Sequence, residues 1–294
     1  MSSAWQDLPE VRTVQRRSVR TLAVAQMLSS LGVGAGPSVG VLLAAEVTQS
    51  EAWAGIARAS STVGAALVAL PLAAFAANFG RRRALAGAWA AAAVGAGAVA
   101  LSAQLASLPV FLAGMLLLGC GSAAGLQARF AGADLAPPRR RARTLSLVVW
   151  AGTFGAVLGP NLAEPGALLA RHFGVHPFAG AFGICAVLLV WTALGVALLL
   201  RPDPLHLAQT FQGEQVAQPR TKPRGTYRRA WESLRSHPTA QAALVAQVMA
   251  HLVMVVIMTM TPVHLHHQGD SLSIIGLTIS IHVFGMWGLA PLFG

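Results

Sequence analysis

Charge is scarce in this chain: Asp, Glu, Lys and Arg make up only 11% of its 294 residues. An average soluble domain carries about 25%, so this composition excludes a chain whose surface is mostly solvated. Cysteine is nearly absent as well. Cys120 and Cys185 are the only two; both fall inside apolar runs and have no ligand spacing around them, which excludes a disulfide framework and a structural metal site. Catalytic signatures are also missing. There is no nucleophile elbow, phosphate loop or pair of carboxylates, and GPSVG and GCGSAAG sit in apolar helical runs without the strand-turn-helix context such motifs require. An enzyme is therefore not expected, and neither is a cofactor or a metal centre.

What is abundant is apolar sequence: 55% of residues are hydrophobic, and the mean hydropathy is +0.60. Eight runs approach or exceed the length of about 20 residues that crosses a bilayer, at 21–44, 54–78, 84–105, 107–128, 144–164, 177–200, 239–262 and 272–293. The first is too long for a signal-peptide core and is followed by further spans, so it is expected to be retained. A net charge of +11 would suit nucleic acid if the basic residues formed one surface. Instead, all but Arg58 and Arg171 of the 21 basic residues fall before the first run or in the segments after the second, fourth and sixth. The Lys/Arg bias of short loops sets orientation. It predicts a multi-pass protein of the cell (inner) membrane with a cytoplasmic N-terminus and alternate loops facing the cytoplasm, and it excludes a nucleic-acid partner.

The expected fold is therefore an all-α polytopic membrane protein. Its organisation reads as a cytoplasmic N-terminus (1–20), a six-helix bundle (21–200), a cytoplasmic linker (201–237) and two further helices (238–294). Within the linker, TYRRAWESLR places Tyr227, Trp231 and Leu234 at helical spacing amid arginines, a helix suited to lie on anionic lipid. Six helices, a basic linker and more helices suggest a transporter of two six-helix bundles, each a 3+3 inverted repeat. On that expectation only two helices of the second bundle are present, and GLAPLFG ends the chain within it.

Three motifs sharpen the reading. LAAFAANFGRRRAL, after the second run, resembles the Gly-x-x-x-Asp-Arg-x-Gly-Arg-Arg signature of the major facilitator superfamily: Gly80, Arg81 and Arg82 match, while Ala73, Ala77 and Asn78 replace the first glycine, the acid and the next basic residue. MLLLGCG keeps Gly119 and Gly121 of the drug-exporter helix 4 pattern but has Met115 at its arginine position. GTFGAVLGPN resembles the antiporter motif of helix 5, with Gly159 and Pro160 matching and Gly152 and Gly155 one and two turns earlier. The resemblance implies a drug/proton exporter-like transporter, truncated in its second half, in which Gly80, Arg81 and Arg82 contribute to a cytoplasmic latch. Small residues at four-residue spacing let helix backbones touch in lipid. Gly155 and Gly159 are thus expected to meet the first helix, whose Gly32, Gly36 and Gly40 repeat the spacing.

Transport chemistry has few candidates, because acids are absent from the middle of the runs. Glu46, Glu51, Glu164 and Arg58 fall near span ends; His251 and His282 lie deeper and are, with Glu46, the candidate proton carriers. Gln26, Asn161 and Gln247 are candidates to line a substrate cavity. These features predict an exporter of small neutral or amphipathic compounds working by alternating access, with the lipid bilayer as solvent and protons as a possible coupling ion. A non-transporting scaffold or a truncated fragment is the alternative.

Overall fold

The structure is a computed structural model and describes residues 4–48, 52–215 and 226–289. Among these it is helical throughout, apart from short turns. The N-terminal helix α1 (Pro9–Gly34) starts on a proline, which sacrifices no hydrogen bond at that position. It therefore begins within the segment expected to be a plain cytoplasmic N-terminus. A single π turn (Gly36–Gly40) then separates it from α2 (Val41–Thr48), so the first run is two helices and not one continuous rod. Next come α3 (Ala52–Phe79), α4 (Arg81–Leu105) and α5 (Leu108–Ala133). The fifth run is also broken: α6 (Arg141–Leu158) passes through a 3-10 turn (Gly159–Leu162) into α7 (Ala163–Phe173). The sixth run is α8 (Pro177–Leu199).

The linker holds α9 (Pro204–Gln215) and α10 (Thr226–Arg235). The chain then enters α11 (Pro238–His267) and α12 (Leu272–Trp287). By length and composition, six helical stretches among the described residues can cross a membrane. The two runs left out are the first, whose α1 carries Arg12, Arg16, Arg17 and Arg20 in its first half, and the eighth, whose α12 has 16 residues. Residues 290–294, the end of GLAPLFG, lie outside the described residues, as do Glu51 and the side chains of Tyr227, Arg228 and Arg229.

Helices α1 to α8 form one bundle around Trp89, Phe111, Phe182 and Leu22, all fully buried. Cys120 and Cys185 are buried in it as free thiols. Here α1 packs on α6, α3 on α5, and α4 on both α5 and α8. Exchanging the first three runs with the next three turns the α1–α6 crossing into the α5–α3 crossing, as a 3+3 repeat requires. Large apolar side chains such as Leu67, Val94 and Trp191 are about two-thirds exposed on the bundle's outside. No water meets such a surface in a bilayer, where lipid is as apolar as leucine. Beneath the bundle a small second core buries Trp5 against Phe211, their rings stacked at 5.4 Å, and draws α9 onto the N-terminal segment.

Candidate functional site

The arginine-bearing end of the bundle carries a clamp that the motif spacing alone did not show. Gly80 breaks α3 from α4 with φ 90°, a conformation open to glycine, and a Cβ there would come within 2.5 Å of an Asp203 carboxylate oxygen. That oxygen accepts the Arg82 backbone N–H at 2.8 Å, placing negative charge at the positive end of the α4 dipole. Arg81 donates to both oxygens of Asp134, just past α5, at 2.9 and 3.3 Å, and to Gln127 at 2.9 Å. Both partners are about 15% exposed. Burial raises the Asp134 carboxyl above the ordinary carboxylate value, and the Arg81 guanidinium opposes it. The acid absent at Ala77 thus has counterparts elsewhere. Sequence reasoning missed Asp134 and Asp203, although each is an acid in an otherwise arginine-rich loop.

The glycines of GTFGAVLGPN line the face of α6 that meets α1. A Cβ on Gly155 would overlap the Met27 carbonyl oxygen and lie 2.6 Å from the Leu31 nitrogen. At Gly159 it would lie 2.7 Å from Gly34 Cα, and at Gly152 2.9 Å from Gln26 Cγ. The expected partners in the first run need correction: Gly32 faces Cys185 and Leu189 of α8, Gly36 faces Leu118, and Gly40 faces Phe182 and Met115, whereas Gly34, outside that spacing, lies against Gly159 and Gly155. At about 100° per residue, Gly32 lies roughly 200° around α1 from Gly34 and so faces away from α6.

Past Gly155, the same element grips α12. The Asn161 side-chain amide donates to Ser280 Oγ at 2.7 Å and to the Val157 carbonyl at 3.1 Å, and the Ser280 hydroxyl lies 2.5 Å from that carbonyl. A Cβ on Gly276 would come within 2.8 Å of Asn161 Oδ1. Ser273 donates to Glu164 further out, while Ile279 and Val283 pack with Met258 against Ala156 and Val157. Asn161 therefore takes part in a helix-helix junction with α12. Gln26 is buried between α5 and α6, its Nε2 at 3.4 Å from Ser30 Oγ. Toward the arginine-bearing end, α11 stands clear of the bundle. From Pro238 to Val253 every residue of α11 is exposed.

Between the outer part of α3 and the middle of α11 lies a cleft of about 710 Å³, a size that suits a drug-sized ligand. Arg58, Thr62, Gln247, His251 and Thr259 supply its polar groups amid valines, Leu252 and Met260. Two expected residues, Gln247 and His251, are thus brought together with Arg58. His282 is exposed on α12, and Glu46, on α2, borders a separate hollow with His266 and His267 and lies 3.2 Å from the His176 ring. Among the described residues no group of three or more His, Cys, Asp and Glu is placed to hold a metal ion.

The model of the Major Facilitator Superfamily matches residues 22–294. The chain belongs to that superfamily. Its members are transporters and not enzymes. The chain is 34% identical over 289 residues to the "Uncharacterized MFS-type transporter YddS" of Bacillus subtilis, covering 98% of this chain and 66% of that protein. It is 33% identical over 276 residues to the "Uncharacterized MFS-type transporter YdeG" of the same organism, covering 94% and 63%. Against the "Riboflavin transporter RfnT" of Brucella anthropi it is 31% identical over 295 residues, covering 96% and 66%. The chain thus spans slightly under two thirds of the length of these relatives.

Proposed function

We propose that the protein is a secondary transporter of the inner membrane that exports small amphipathic compounds by alternating access, with a cytoplasmic N-terminus and protons as the coupling ion. The observation that carries this reading is the one-sided contact between α11–α12 and the bundle. The α6–α7 bend at Pro160 holds α12 through Asn161 and Ser280, whereas the arginine-bearing half of α11 stands clear. Rigid bundles closed at one end and splayed at the other are one state of a rocking machine around a midplane site. The Lys/Arg bias makes the splayed end cytoplasmic.

In this reading the α3–α11 cleft receives the substrate and Gln247 lines it, while His251, the span histidine that borders the cleft, carries the proton. The Arg81–Asp134 pair and the Asp203 cap brace the cytoplasmic end of the bundle that rocks. They also remove one motive for the scaffold alternative, the missing acid at Ala77.

Reconstitution of the full-length protein with a pH gradient and a labelled panel tests the proposal. Riboflavin, the compound in one relative's name, belongs in that panel. Gradient-dependent movement of at least one amphipathic compound is expected, and slower movement in a His251→Gln variant. No gradient-dependent movement of any of them contradicts it.

A further inference from the structure

Arg58 is the one fixed charge lining the α3–α11 cleft; no Asp or Glu lines it among the described residues. It stands six residues into α3, about 9 Å from that helix's outer start at 1.5 Å per residue. Its Nε–H is buried and finds no acceptor. Arg81, in contrast, has Asp134 and Gln127, and Arg171 at the end of α7 is exposed. A guanidinium held inside a spanning helix is costly and is usually matched by a partner or a pathway. A buried polar atom without a partner likewise needs an explanation. Among the described residues no acceptor meets the Arg58 Nε–H, and the cleft it borders holds neutral polar groups and apolar side chains but no acid.

We propose that the cleft takes an amphipathic substrate whose polar end is negatively charged, with Arg58 as its counter-ion. This deepens the transport reading above and rests on it. The guanidinium offers a planar fork that fits a carboxylate, sulfonate or phosphate through paired hydrogen bonds. Thr62, one helical turn along α3, and Gln247 and His251 across the cleft add neutral polar groups around the same end. Three valines of α11, with Leu252 and Met260, receive the apolar remainder. A cationic amphiphile meets like charge at Arg58 and is rejected, and a neutral one leaves the guanidinium unpaired.

The test uses the full-length protein in phosphatidylcholine nanodiscs and three labelled probes of one shape: 2-naphthalenesulfonate, 2-naphthalenesulfonamide and the naphthylmethyl trimethylammonium ion. The sulfonate is expected to bind at least ten-fold more tightly than the sulfonamide, with the cation weakest. Arg58→Gln is expected to remove that preference and Arg58→Lys to keep part of it. Should Arg58→Gln fail to fold, the preference of the unaltered protein decides by itself. Equal binding of the three probes, or an Arg58→Gln variant that still prefers the sulfonate, overturns the inference. In phosphatidylglycerol nanodiscs the sulfonate affinity is expected to persist, and its complete loss would assign the cleft to an anionic lipid and overturn it too. Gradient-driven movement of other compounds without an anion preference would sink this inference alone. A sulfonate preference with no movement of any compound would sink the transport reading and leave the charge preference of the cleft standing.

Discussion

At the scale of single residues, the glycines of α6 and the acids at the arginine end make separate demands. Gly155→Ala places a Cβ on the Met27 carbonyl oxygen, so α1 and α6 must move apart. Overpacking of this kind costs about 1–3 kcal/mol. A clear fall in thermal stability is expected for Gly155→Ala, with no fall for Gly97→Ala, where nothing lies within 4 Å. Asp134 separates charge from hydrogen bonding. Asp134→Ala leaves the Arg81 guanidinium largely buried and without its acid, which costs about 3 kcal/mol. Asp134→Asn is expected to cost much less, because its amide oxygen still accepts from Arg81 and the desolvation of a carboxylate is avoided.

The pH dependence follows from the same carboxyl, whose value in the folded protein lies above its unfolded one. Its contribution to stability is full below the unfolded value of about 3.9 and is lost as pH rises through the folded value. From neutral pH toward 4 the native protein is therefore expected to gain stability relative to Asp134→Asn. Denaturant titrations at several pH values measure the difference.

At the scale of elements, the junction between the Gly159–Leu162 turn and α12 is the part with the clearest consequence. Asn161→Leu removes the donor to Ser280 and buries a branched chain where Gly276 approaches. Ile279 is only 3% exposed in that junction. A cysteine at position 279 is expected to be silent to an impermeant maleimide added from outside. With Asn161→Leu it should be labelled several-fold faster. The existence of the helices was legible in the sequence, since apolar length and arginine placement depend on composition alone. Their breaks were not. The π turn at Gly36–Gly40 and the 3-10 turn at Gly159–Leu162 are set by what α1 and α6 meet, and glycine and proline allow a break without requiring one. Asn161 illustrates a further limit, because an amide inside an apolar run looks the same whether it faces a cavity or a neighbouring serine. Asp134 and Asp203 act across 53 and 121 positions, which no local pattern displays.

At the scale of the whole molecule, the cleft and the clamp depend on where two groups of helices stand. Arg58 seemed interfacial from its place near the start of a run; only the position of α11 turns it toward a cleft. The central claim is that α11–α12 closes on the bundle at the outer end while standing off at the cytoplasmic end, and that these two gaps exchange. Paired spin labels measure this in the full-length protein. One pair joins Leu147 on α6 to Leu244 on α11 at the arginine-bearing end, cytoplasmic in the proposal, and the other joins Phe173 on α7 to Ile274 on α12 at the opposite, outer end; all four residues are exposed. Distances are recorded at pH 5.5 and pH 8, with and without 2-naphthalenesulfonate. The account predicts that the cytoplasmic distance shortens whenever the outer one lengthens. Two distances that stay fixed under every condition, or that lengthen and shorten together, would contradict it.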